Sequence, residues 1–326
     1  MDAGCVIGVD LGGTKVIAGA IDGRLRVHQR ASRAAPNDDQ SKVLDALVEV
    51  VAEVRCNTSA PVHAVGFGIP CLLDSERGIA VMATNLPLAE IDFGAVMSER
   101  VGLPVFVDND ANLAMLAEHR AGAARGARNA AMLTIGTGIG GGLIINGTLY
   151  QGARGAAGEL GHMVIDQNGP PCQGNCPSRG CLESLASGTA LIREALRVAT
   201  EQPQGGLGRE LKSGRDITGA LVTELAHDGD ASALEILELI GGRLGLGILN
   251  LVNMLNPEVV VIGGGVIAAG ELLLDPARRV VAERALRPSR DQVRIVRAHF
   301  GAESGMVGAA LLALESVKLG ASPLPP

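Results

Sequence analysis

The chain has 326 residues, 47% of them hydrophobic, which is enough for two domains that each bury a core. A formal net charge of −7 with four Phe, one Tyr and no Trp supplies neither the basic footprint nor the stacking platforms of a nucleic-acid binder. The longest glycine and apolar run, Val259 to Gly270, is shorter than the ~18 residues of a membrane span, and Met1-Asp2-Ala3-Gly4 has no basic segment to open a secretory signal, so a cytoplasmic protein without nucleic-acid or membrane partners is expected.

An apolar run from Cys5 to Val9 leads into Asp10-Leu11-Gly12-Gly13-Thr14-Lys15, and Val16 to Ile21 is apolar again. Asp22-Gly23 then precedes Leu25 to Gln29. This predicts strand, Gly-rich turn, strand, tight hairpin and strand, with Asp-Gly supplying the positive φ angles of a type I′ turn. Helical spacing follows from Asp39 to Arg55, then a strand from Val62 to Phe67 ending in Gly68-Ile69-Pro70. Val105 to Asn109 reads as a strand feeding a helix from Asp110 to Ala121, which Gly122 closes. The opening pattern recurs at Ala130 to Ile135, a Gly-rich turn from Gly136 to Gly142, a strand from Leu143 to Ile145 and a second hairpin signal, Asn146-Gly147. Two copies of one supersecondary unit imply two related lobes. Farther on, Ser187 caps a helix from Gly188 to Thr200, Gln202 to Arg215 reads as a polar, Gly-rich loop, and a long helix from about Asp230 to Asn256 is stopped by Pro257. A strand at Val259 to Ile262 and a helix at Ala302 to Val317 complete an α/β pattern whose hairpins make each sheet mixed.

The first Gly-rich turn can cradle an anion with bare backbone N–H groups, Thr14 adding a hydroxyl, Lys15 a charge, and Asp10 a carboxylate able to hold Mg²⁺ through water. It can also be a hairpin that merely turns. Its spacing is not that of the P-loop. In the second turn Gly136, Gly138 and Gly141 match the dinucleotide pattern, with Glu159 roughly 20 residues on. That motif must open a helix, whereas Leu143 to Ile145 continues as strand, so the better reading is a phosphate-contacting hairpin with Thr137 and Gly138 toward the nucleotide. Asp108-Asn109-Asp110-Ala111-Asn112 places two carboxylates and two amides at a strand–helix junction. These are either rigidly held site residues or ordinary caps; if Asp110 serves a site, the cap falls to Asp108 or Asn109. Gly155, Gly158 and Gly161 make a loop of the segment holding Glu159 and His162, and Glu183 follows. His162 with Cys172, Cys176 and Cys181 is a three-cysteine, one-histidine set, the composition of a closed structural zinc site. A disulfide is the alternative, disfavoured by the odd local count and the cytoplasmic setting. Cys5, Cys56 and Cys71 stand alone in apolar surroundings and read as inert.

Taken in order, Val9-Asp10-Leu11-Gly12-Gly13-Thr14-Lys15, Asn109-Asp110-Ala111-Asn112, Gly158-Glu159-Leu160-Gly161-His162, Gly180-Cys181-Leu182-Glu183 and Leu255-Asn256-Pro257 with Gly263-Gly264-Gly265 resemble the motifs of the ROK family of sugar kinases and sugar-responsive repressors. Nearly the whole chain takes part. The resemblance implies an actin-like (ribonuclease H-like) two-lobed α/β fold with a cleft between lobes. The expected N-terminal lobe spans 1–115, completed by a helix at 302–320, and the C-terminal lobe with its zinc loop spans 116–301. The implied reaction moves the ATP γ-phosphate, with Mg²⁺, to the 6-hydroxyl of glucose as hexose substrate. Asp110 is the implied general base, Asn85, Asn109, Glu159, His162 and Glu183 the implied sugar contacts, and Gly264 the implied neighbour of the adenosine. A homo-oligomer, dimer or tetramer, is expected. Members commonly show Cys-x-Cys-Gly-x-x-Gly-Cys, whereas here Gly174 takes the usual place of the first cysteine and Cys172 lies earlier; Cys71 replaces the common Gly after Gly68-Ile69-Pro70, which narrows the sugar side. The Pro171-Cys172-Gln173-Gly174-Asn175-Cys176 stretch favours glucose over the alternatives, N-acetylglucosamine and N-acetylmannosamine. A repressor, which needs an added helix-turn-helix ahead of a first strand that begins here at about Cys5, and an actin-like ATPase, which has no use for the Glu159, His162, Glu183 set, are the rivals of another class.

Overall fold

The computed structural model describes residues 4–74, 79–83 and 86–318. In chain order β1 (Cys5–Leu11), β2 (Lys15–Asp22) and β3 (Val27–Ala34) precede α1 (Gln40–Cys56) and β4 (Val62–Ile69). β5 (Cys71–Asp74), β6 (Ile79–Ala83) and β7 (Ala89–Ile91) make a small separate sheet before α2 (Phe93–Val101), β8 (Val105–Asn109) and α3 (Asp110–Ala121). A second series opens with β9 (Ala130–Ile135), β10 (Ile139–Ile145) and β11 (Thr148–Leu149). Five helices follow: α4 (Leu182–Ala186), α5 (Gly188–Glu201), α6 (Gly206–Lys212), α7 (Gly219–His227) and α8 (Ala231–Leu255). The chain ends with β12 (Val259–Gly263), α9 (Glu271–Arg284), α10 (Ser289–Gln292), β13 (Arg294–Arg297) and α11 (Ser304–Lys318).

The two large sheets share one plan. Their orders are β3-β2-β1-β4-β8 and β11-β10-β9-β12-β13, so in each the first strand of a meander is followed across the sheet by two later strands. β1 is antiparallel to β2 and parallel to β4, and in the second sheet β10 is antiparallel to β11 while β12 is parallel to both β9 and β13, which makes the sheets mixed. Every residue of β12 is buried, as a parallel strand covered on both faces requires.

Two compact units emerge. One holds the chain up to Gly126 with Gly142–Gly158 and the residues from Ala298 on; the other holds Ala127–Gly141 and Glu159–Arg297. In the first, α11 lies directly on the sheet: a Cβ on Gly66 of β4 would fall 1.8 Å from the Ala309 carbonyl oxygen, so only glycine admits the helix there. The same unit's core includes Phe67 edge-on to Phe93, ring centroids 5.4 Å apart. In the second, α8 starts on the Asp230 cap, whose side chain accepts from Ala233 N–H, and ends on Asn256 in the left-handed region at φ 45°. Among the described residues no helix is long and apolar enough to cross a membrane.

Three local expectations fail. Gly23 does not take a positive φ; Asp22 Oδ1 instead accepts from Arg24 and Arg26 N–H at 2.8 and 3.0 Å, and Leu25 bears the left-handed conformation at φ 61°. The carboxylate closes a wider loop than the Asp-Gly pair alone would. Asn146-Gly147, by contrast, has both residues at positive φ, 53° and 83°, as a type I′ turn demands. The segment read as a loop from Gln202 to Arg215 contains α6, held by a distant group: Gly206 N–H donates to Asp230 Oδ2 at 3.1 Å, and Leu207 is buried. Finally, β10 begins at Ile139, so three glycines read as turn are strand.

Candidate active site

In the first unit the site residues stand at the ends of β1 and β8. Gly12 N–H donates to the Lys15 carbonyl at 2.8 Å, which closes the turn after β1 and leaves Gly13, Thr14 and Lys15 exposed. Asp10 precedes that turn, its carboxylate against the first residues of α11, since a Cβ on Gly305 would lie 2.5 Å from Asp10 Cγ. Burial, and then the charge of Asp110, pushes the Asp10 carboxyl up to about 7. The same two causes push the Cys71 thiol up to about 12, so Cys71 is a buried, protonated wall residue near Asp110.

Asn109 is the cap of α3, accepting from Ala111 and Asn112 N–H at 2.9 and 3.2 Å. This frees Asp110 from the capping role, although Asp110 Oδ1 also accepts from Ala111 N–H at 2.9 Å, which fixes its orientation. The Asn109 amide nitrogen lies 3.4 Å from the Cys71 carbonyl oxygen. Behind the turn the buried Asp108 carboxylate accepts from Asn109 N–H, Asn112 Nδ2 and Gln151 Nε2. Asp108 had seemed a mere alternative cap, and Gln151 carries no signal in a sequence read by motif. Asn85 lies outside the described residues.

In the second unit the turn between β9 and β10 is tied to the start of α5: the Gly136 carbonyl accepts from Gly188 N–H and the Thr137 carbonyl from Thr189 Oγ1, both at 2.8 Å. Glu183, on α4, is 7% exposed, and its Oε2 accepts from Ile139 N–H at 2.8 Å. A Cβ on Gly138 would come within 2.2 Å of that oxygen. Gly264 follows β12 at φ 84°, with the Ile135 carbonyl oxygen 2.4 Å from where its Cβ would be, so conformation and packing both require glycine.

Glu159 precedes a single 3₁₀ turn, Leu160–His162. His162 Nε2 faces Glu159 Oε2 at 3.8 Å, while Nδ1 faces Cys172 Sγ at 3.5 Å. Burial pushes Glu159 above the ordinary carboxylate range, His162 pulls it down and Glu183 adds to the rise. One donor atom each from His162, Cys172, Cys176 and Cys181 lie within 4.8 Å of one another, so Cys172 converges with the rest despite its shifted spacing. Three thiols and an imidazole nitrogen that close are the donor set of a tetrahedral zinc centre, and the Glu159 carboxylate beside the far imidazole nitrogen is the kind of partner that orients a ligating histidine.

A model of the ROK family matches residues 6–316. The glucokinase of Halalkalibacterium halodurans is 34% identical over 307 residues, covering 93% of this chain and 92% of that one. The xylose repressor of Bacillus subtilis is 30% identical over 318 residues, 96% of this chain but 78% of the repressor. Among solved structures, a ROK family glucokinase from Streptomyces griseus in complex with glucose and AMPPNP superposes with a TM-score of 0.86 at 34% identity, over 96% of this chain and all of that one. The α/β chain with its two mixed sheets has the actin-like fold of these sugar kinases. It belongs to the ROK family.

Proposed function

We propose that this chain is an ATP-dependent glucokinase transferring the ATP γ-phosphate to the 6-hydroxyl of glucose. The observation that carries the reading is the placement of Asp110: a carboxylate oriented at the first turn of α3, relieved of capping by Asn109, whose charge is felt at Asp10 beside a bare Gly-rich turn. Similarity to glucokinases along nearly their whole length supports glucose as the acceptor.

In the proposed reaction the 6-hydroxyl oxygen bonds to the γ-phosphorus as the bond to the ADP oxygen breaks, and Asp110 takes the hydroxyl proton. Glu159, His162, Asn109 and Asn85 hold sugar hydroxyls. Glu183, with Oε2 engaged by Ile139, retains acceptor capacity for another. Gly12, Gly13, Thr14 and Lys15, with Thr137 and Gly138, face the phosphates, and Gly264 borders the adenosine. Asp10, a strand-end carboxylate next to exposed backbone, would hold Mg²⁺, which would supply neutralisation of the phosphate charge. Zinc on His162, Cys172, Cys176 and Cys181 holds the loop that carries Glu159 and leads to Glu183.

Asp110→Asn is expected to keep glucose binding and to lower kcat about 10²–10⁴-fold, the usual contribution of a general base. Coupled assays of ADP release across glucose, mannose and the N-acetylhexosamines test both parts. A variant with more than about a third of wild-type turnover sinks the base assignment, and an N-acetylhexosamine preferred tenfold over glucose in kcat/KM sinks the choice of sugar.

A further inference from the structure

The geometry points to Gln151 as a positioning residue for phosphoryl transfer, acting through Asp108 on the turn that carries Asp110. The inference rests on Asp110 as the base. Asp108 is 6% exposed, and two of its three donors, Asn109 N–H at 2.7 Å and Asn112 Nδ2 at 3.2 Å, come from its own turn and hold Oδ1. The third comes from a different part of the first unit: Gln151 Nε2 donates to Oδ2 at 2.9 Å.

Gln151 is also the closing point of a loop. Its carbonyl accepts from Ala157 N–H at 3.0 Å, and the chain leaves that loop through Gly158, at φ 94°, straight into Glu159. One residue thus holds the base of the 151–157 loop by its main chain and the back of the catalytic turn by its side chain. Burial raises the Asp108 carboxyl above the ordinary carboxylate range and the hydrogen bonds from Asn112, Asn109 and Gln151 offset part of that rise, so losing the Gln151 donor strips one of the contacts that satisfy this buried group. Without it the carboxylate must find water or turn away, and Asn109 and Asp110 follow because Asp108 holds Asn109 N–H. A displacement near 1 Å at a reacting group costs on the order of 10²-fold in rate.

Gln151→Ala should lower kcat with glucose at least tenfold while the KM for ATP stays within about twofold of wild type. Gln151→Glu sets two carboxylates against each other and should lower kcat further, the deficit growing as pH rises and both ionise. In the double variant Asp108→Asn with Gln151→Glu the amide and carboxylate exchange ends of one hydrogen bond, and kcat should rise at least tenfold over Gln151→Glu alone. Gln151→Ala within threefold of wild-type kcat, even with a lowered melting temperature, overturns the proposal, as does a double variant no faster than Gln151→Glu. Asp110→Asn, assayed beside them, reports on the base separately: if it keeps turnover, the base reading fails whatever the swap does.

Discussion

The turn at Gly12–Thr14 and the turn at Gly136–Gly138 occupy equivalent places in two sheets of the same strand order, yet their glycines answer to different constraints. Gly13 has an ordinary φ, and a Cβ there would meet nothing within 4 Å. Neither backbone nor packing asks for glycine; what it leaves is uncovered N–H surface, the feature on which the proposed phosphate contact rests. Gly138 is the reverse case, its free side taken by the Glu183 carboxylate, with Gly136 and Thr137 carbonyls tied to α5. A repeated motif can preserve topology while its two copies are held differently, the first left bare and the second braced by its own unit with Thr137 still exposed on it.

The sharpest break in that contrast comes from the metal site. Glu183 sits two residues after Cys181, so losing the centre should loosen the second turn and spare the first. Cys176→Ala is expected to abolish zinc binding, measured as one zinc per wild-type chain by elemental analysis, and to speed amide exchange at 136–139 while leaving 11–15 unchanged. Wild-type protein prepared without chelator and holding no zinc refutes the assignment. Next in size, Gly138→Ala should destabilise by about 1–3 kcal/mol, the range for overpacking, because the new methyl displaces Glu183 from Ile139. A melting temperature unchanged within a degree would mean that the carboxylate moves aside freely. Smaller still, Gly13→Ala should leave the melting temperature unchanged or slightly raised, since alanine narrows the unfolded ensemble, yet raise the KM for ATP about tenfold through a lost charge-assisted contact. An unchanged KM would return this turn to the role of a simple hairpin.

How far these features were legible in the sequence depended on how local their causes are. The cap of α3 was confined to two candidates because capping is settled within four residues, and Asn109 proved to be the one. The four zinc-type donors were identifiable by composition, and their convergence needed only a short loop. Asn146-Gly147 turned as its chemistry dictates, whereas Asp22-Gly23 did not, because the Asp22 carboxylate reached two further amides. α6 was missed because the group that holds its first amide, Asp230, is far along the chain. Gln151 was missed for the same reason: an isolated glutamine becomes informative only when a fold sets it beside a buried carboxylate.

Asp10 gives the effect that best tests the open turn. Its folded carboxyl titrates at about 7, raised by burial and by Asp110, against about 3.9 in an unfolded chain. Between those values the native state binds a proton that the unfolded state has released, so the group's contribution falls as pH rises through the window, and the full cost is present above pH 7. Asp10→Asn removes that cost. Without added Mg²⁺ or nucleotide, the variant should melt several degrees above wild type at pH 8 and by a clearly smaller margin at pH 5, where only part of the cost has accrued. The opposing influence is the N-terminus of α11 against which the carboxylate lies, which favours its charge by about 0.3–1 kcal/mol, up to ~2 when partly buried. If that influence dominates, the carboxyl is ionised throughout and the two proteins keep one melting difference at both pH values; a pH-independent gap in calorimetry would therefore show that the helix end, and not burial, sets the charge of the residue proposed to hold Mg²⁺.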